Sequence, residues 1–395
     1  MKRTIPSGIS ICLLISSLVL IPSVTKAFPN SPKTIKVNQD IIRGIELLYD
    51  WEFDQAEKIF YKVTAENPKN PMGYFYLAMV SWSQLASGFW SPKIVQRYGK
   101  RIDQAIDIAR KKIEEGNPDS FDYFYLGGAL GFKGRFQLME RKWLSSFFLA
   151  LEAIDALKTC QKMDPKNRDV LFGLGIFDYY SAKLSGVLKF LSYLLLHKGD
   201  IEEGLRKLNV ATNEALYSSV EAKSLLIHIY LFLENAPHKA LPLVQEMAQR
   251  FKNNPRNKHL EGMAYILLGK QREYKSLVSY FFQRSREEKG PERAAIWQKR
   301  ALYLETSYHL LLEQYPLARL KLESILSEED PEKDPFMIGW PLVKMGMSYD
   351  AEDDREQALK YYKRVTSLEN GAGAQFLAEK YTENPARKKD PFLAY

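Results

Sequence analysis

One feature constrains this chain more than any other: a helical pattern that recurs with a fixed internal offset. Gly44 is followed twelve residues later by Ala56, four after that by Phe60, and then by Val63 and Pro68. Near the other end Gly346, Ala358, Tyr362 and Val365 repeat the same intervals. Between them, apolar residues fall three and four apart, as in Ile41–Leu48, Ala105–Ile113 and Ala358–Val365, and alternating strand patterns are nearly absent. The residue types follow from packing. A small residue on each of two antiparallel helices lets the backbones approach, an aromatic fills the space towards the next pair, and Pro68 stops the second helix. The pattern predicts an all-α chain of helical hairpins.

These spacings resemble the tetratricopeptide repeat (TPR), W-x2-L-G-x2-Y…A-x3-F…P, a helix–turn–helix unit of 34 residues. The resemblance implies a right-handed α-solenoid of TPR-like hairpins. Further first helices are read at Tyr74-x2-Leu77-Ala78, Tyr123-x2-Leu126-Gly127 and Leu171-x2-Leu174-Gly175. The intervals Ala78–Ala105, Gly127–Ala153 and Gly175–Gly204 are 27, 26 and 29 residues instead of twelve, so elongated hairpins with inserted segments are expected in the N-terminal half. The insertions lie near 87–100, 133–146 and 185–200. Looser hairpins follow at 222–251, 260–282 and 301–326, with a capping helix at 371–381. The stretch 145–250 is weakly similar to the central region of the tetratricopeptide-repeat-protein-39 family. The expected organisation is a signal peptide at 1–27, a linker at 28–36, an N-terminal array at 37–216, a C-terminal array with its cap at 217–384, and a loose tail at 385–395.

Lys2 and Arg3, the apolar run Ile9–Val24 and the small residues around Thr25-Lys26-Ala27 read as a secretory signal, too short to span a bilayer. An exported, periplasmic or envelope location is therefore expected. Removing Lys2, Arg3 and Lys26 lowers the formal charge of +8 by three, and the rest is spread without a run of five like charges, so nucleic acid is not an expected partner. Cys12 leaves with the signal. Cys160 then has no disulfide partner, and its apolar helical face suits a buried structural thiol.

No reaction chemistry is legible. Gly127–Gly134 lacks the phosphate-loop order and a preceding strand. Asp350, Glu352, Asp353 and Asp354 resemble a calcium loop only until Arg355 takes the place of its glycine, and they read instead as a solvated turn. His197, His228, His238, His259 and His309 show no ligand spacing; His228 reads as a core or groove histidine. Neither a catalytic residue, a metal nor a cofactor is expected.

By the TPR resemblance, the inner surface is lined by Phe75, Met79, Trp82, Phe124, Phe172, Ile176 and Tyr179. An apolar, aromatic wall of that kind suits a peptide or protein partner, unless the inserted segments fill it themselves. The expected role is a non-enzymatic interaction scaffold. The second reading is a peripheral membrane or lipid-contacting scaffold acting through the apolar 185–200 segment, and an enzyme with a site assembled across repeats comes third.

Overall fold

The computed structural model describes residues 32–183, 199–327, 334–388, 390–393 and 395. Among the described residues there are seventeen α-helices and no strand. Consecutive helices pair into hairpins: α1 (Pro32–Tyr49) with α2 (Phe53–Glu66), α3 (Pro71–Ala86) with α4 (Pro92–Glu114), α5 (Ser120–Met139) with α6 (Trp143–Met163), and α7 (Val170–Lys183) with α8 (Ile201–Glu214). The second half continues with α9 (Ser219–His228, extended by a π-helical turn, Ile229–Leu233) and α10 (Pro237–Arg250), then α11 (Pro255–Leu267) and α12 (Gln271–Glu287). It ends with α13 (Pro291–Leu311) and α14 (Tyr315–Leu326), α15 (Phe336–Asp350) and α16 (Arg355–Thr366), and the cap α17 (Ala374–Glu383). The described residues thus form an all-α solenoid of eight TPR-like hairpins.

The offset read from the sequence has a direct structural cause. A Cβ on Gly44 would stand 2.6 Å from Phe60 Cζ, and one on Gly346 would stand 2.8 Å from Tyr362 Cδ1. Only glycine lets each aromatic lie flat against the partner helix. Entry to three of the hairpins is fixed by side-chain caps. Asn70 and Asn254 each accept a hydrogen bond from the helix that the following proline opens, and Asp119 forms a reciprocal capping box with Asp122. Within hairpins, the turn relies on one residue with positive φ: Trp51, Gly88, Arg141, Asn235, Gly269, Glu313 and Asp353. Five of these are not glycine, so the turns carry left-handed strain that the sequence does not advertise.

The extra residues of the first two insertions do not form loops. They lengthen the helices: α4 has 23 residues, α5 has 20 and α6 has 21. The third insertion, 185–200, lies almost wholly outside the described residues. Gly127–Gly134 lies within α5, where Gly127 meets Leu157 and Gly134 meets Leu149, so it is helix packing.

The hairpin tips reach across the superhelix to later hairpins. At the first tip, Arg250 pairs with Glu46, Asn253 donates to Asp50 at 2.9 Å, Asn254 donates to the Tyr49 carbonyl, and Arg293 donates to the Trp51 carbonyl. At the second, Gly88 lies against Asp334 and Ile296, and Ile296 belongs to the core of the N-terminal half. At the third, Trp143 packs on Phe376 with ring centroids 4.6 Å apart, and Arg141 pairs with Glu379. One coil is thereby seated on the next.

Three details differ from the sequence expectations. Helix α1 begins at Pro32, inside the expected linker. The acidic turn is not wholly solvated: Asp350 is buried, accepts two bonds from Arg355 at 2.9 and 3.0 Å, and also accepts from the Tyr362 hydroxyl and the Ala386 amide. Burying that carboxylate requires these donors, and Arg355 supplies the charge. The described residues from Pro385 onward are not all loose. Ala386 and Leu393 are buried, and a short 3-10 turn (Pro391–Leu393) packs against α13 and the π-helical turn.

Candidate functional site: the internal channel

The first helix of each hairpin forms the inner layer. In α15 every residue from Met337 to Ser348 is buried, and in α3 every residue from Pro71 to Trp82 except Tyr74. A helix buried on all faces needs cover on its inner side as well as from its partner. The other coil and the 385–395 segment provide it.

Side chains from the inner faces of α5, α7, α9, α11, α13 and α15 lie within electrostatic reach of one another on the inner side of the superhelix, its channel. Arg135 (α5) and Tyr180 (α7) keep accessible surface there, and desolvation by the surrounding helices lowers the Arg135 pKa and raises that of Tyr180. Burial, and then the charges of Arg256 and Arg135, push His228 down to about 3, so it is neutral there. Burial, with Arg300 and Lys344 adding to it, holds His259 well below its ordinary value. Glu221 is raised by burial against the pull of Arg256, and Asp334 is raised by burial against Arg300.

The cations are matched only at a distance. Arg300 acts on Asp334 and Arg256 on Glu221 through space, and none of Arg135, Arg256 and Arg300 makes an ion pair with a described carboxylate. The Arg135 guanidinium lies 5.1 Å from the centroid of the Trp82 ring. Lys344 is fully buried, donates to the Ser307 hydroxyl at 2.6 Å and sits 4.1 Å above the Tyr303 ring, with its pKa driven well down by desolvation. Beside Arg135, the wall is open: a Cβ on Gly131 would meet nothing within 4 Å.

The sequence-predicted wall residues are divided. Phe75, Met79, Trp82, Phe124 and Tyr179 are buried beneath the channel surface. Phe75 packs on Gly128 and Phe132, and Trp82 is covered by Phe132 and Arg135. Phe172 and Ile176 remain partly exposed, and Tyr180 continues their stripe at four-residue spacing. Sequence reading missed Arg135, Arg256, Tyr180 and the aromatic residues Phe232, Phe336 and Trp340, while it had read His228 beside them as a core or groove histidine. The signal for Tyr180 was available, four residues past Ile176; Arg256 stands next to a helix-opening proline and gives none.

The arrangement is poor for catalysis. Burial raises the Cys160 thiol to about 12, away from nucleophilic range. Among the described residues, no three His, Cys, Asp or Glu side chains gather to hold a metal, and no helix is long and apolar enough to cross a membrane. On the outer face, a shallow cleft lined by Arg168, Glu203, Arg206, Lys207 and Glu214 has its charges paired locally, Arg168 with Glu214 and Arg206 with Glu203. A channel with aromatic walls and two arginines without partner carboxylates can bind, by stacking and by charge.

No protein-family model matches the chain, and no curated protein does. Among solved structures, it is similar to yeast Tom70 at 10% identity, covering 92% of this chain and 93% of that one, with a TM-score of 0.37. It is also similar to the TPR domain of P58(IPK) at 16% identity, covering 88% and 90%, with a TM-score of 0.23.

Proposed function

We propose that the protein is an exported, non-enzymatic scaffold that holds a segment of a partner protein inside its channel. The observation that carries this reading is the channel wall: Arg135 and Arg256 without ion pairs, beside Phe172, Ile176 and Tyr180. A half-buried arginine such as Arg256 gains when an anion meets it, and exposed aromatics gain when covered. The site therefore suits a peptide that brings a carboxylate next to an aromatic or apolar side chain. The sequence signal at 1–27 supports export to the periplasm or envelope. The lipid-contacting alternative rests on the 185–200 segment, nearly all of which is outside the described residues, and has no structural observation in its favour.

Photo-crosslinking tests the reading. A photoreactive residue replacing Tyr180 in the channel is compared with one replacing Lys111 on the outer face of α4, in cells making the full chain. Discrete partner adducts from position 180 and none from 111 are expected. Matching patterns, or no adduct from 180, would remove the channel as the binding surface.

A further inference from the structure

The channel already holds a peptide, and it belongs to the same chain. After Ala386, pinned by Asp350, the segment turns inward. Tyr395 places its ring 3.9 Å from the Trp340 centroid, 4.9 Å from Phe232 and 5.1 Å from His228, with Phe336 at 6.2 Å. The Tyr303 hydroxyl donates to the Tyr395 main-chain oxygen at 2.8 Å. Every one of these partners is on a first helix or its π-helical extension, on the inner face of the coil.

We propose that residues 390–393 and 395 are an internal occupant of the peptide site, which a partner segment carrying an aromatic residue must displace. This rests on the channel being a peptide site. Two observations separate an occupant from a strut. First, the segment satisfies much of its own backbone: Phe392 donates to the Asp390 side chain at 3.0 Å, Leu393 to the Asp390 carbonyl at 3.0 Å and Tyr395 to the Phe392 carbonyl at 3.2 Å. It can thus leave the wall without orphaning many of its amides. Second, among the described residues the wall holds the segment through one hydrogen bond, from the Tyr303 hydroxyl, and otherwise through ring contacts around Tyr395, so an aromatic side chain brought by a partner can take over what holds it. The resident segment thus sets a threshold: only ligands that fill the position of the Tyr395 ring compete.

The test uses the full chain with a specific protease site across Arg387 and Lys388, cut after folding. Binding of a fluorescein-labelled peptide with the sequence of residues 388–395 is followed by anisotropy. Cut protein, after dialysis, is expected to bind at least ten-fold tighter than uncut protein. The same peptide with Tyr395→Ala is expected to lose at least ten-fold. Equal binding by cut and uncut protein, or indifference to Tyr395→Ala, overturns the proposal. Loss of helical circular dichroism on cutting would make the segment a structural strut and overturns it too. Adducts from position 180 together with a segment that never exchanges would sink the internal occupant and leave the scaffold reading standing; an exchanging segment without adducts would do the reverse.

Discussion

At the scale of single residues, the fold depends on where a side chain is missing as much as on where one is present. Gly346 lies against the Tyr362 ring, so Gly346→Val forces either the ring or the helix to move. It should cost about 1–3 kcal/mol, the usual range for overpacking, read as a lower urea midpoint. The opposite applies at the hairpin turns. Asp353 is exposed and held at φ +63°, where a Cβ is unfavourable, so Asp353→Gly should raise stability by about 0.5–1 kcal/mol in the same assay. Titration gives a third residue-scale expectation. His228 has a folded pKa near 3 against about 6.5 in an unfolded chain, so the unfolded chain takes up the proton first as pH falls. The stability that neutral His228 contributes is complete above pH 6.5 and is lost progressively towards pH 3. His228→Gln should flatten the fall in urea midpoint between pH 7 and pH 4.5, though only in part, because His259 is shifted in the same direction. The glycine–aromatic offsets were legible in the sequence because they are steric and local. The left-handed turns were not, because Trp51, Arg141, Glu313 and Asp353 are residues that usually avoid that conformation.

At the scale of elements, the sequence revealed that the N-terminal hairpins are long without showing why. Intervals of 26 and 27 residues read equally well as looped insertions or as longer helices, since amphipathic periodicity continues through Lys133–Met139 and Pro92–Lys100 without a stop signal. The structure resolves the choice as longer helices, and their length carries the third tip to α17. Trp143→Ala should therefore act at a distance from its own hairpin. Faster hydrogen exchange is expected in α17, read by mass spectrometry, with α1–α2 unchanged; faster exchange confined to α5 and α6 would show the tip contact to be incidental. The candidate wall was legible as a set of inward positions, because helical spacing fixes which face a residue occupies. Burial of Phe75, Met79 and Trp82 beneath Phe132 and Arg135 was not, because it depends on how adjacent first helices mesh.

At the scale of the molecule, the contacts between coils convert a row of neighbours into a closed body. A repeat array held only by adjacent units unfolds piecemeal, whereas one with contacts about 200 residues apart gains a long-range term. Trp51 is central to that seam: it is 1% exposed, packs on Phe53 and Phe89, and offers its carbonyl to Arg293. Trp51→Ala should cost about 3–5 kcal/mol as a buried aromatic truncation. It should also split a single urea transition into two and enlarge the radius of gyration measured by small-angle X-ray scattering. Retention of one transition with an unchanged radius would show that the seam contributes no coupling. The seam also dictates an order of events during synthesis. The tip built from residues 46–51 leaves the ribosome long before its docking surface at 250–254 exists. Its Tyr49 and Trp51 rings must wait for Phe251 and Arg293 through that interval, so annealing comes late, and a nascent chain of this design has reason to need a chaperone's protection.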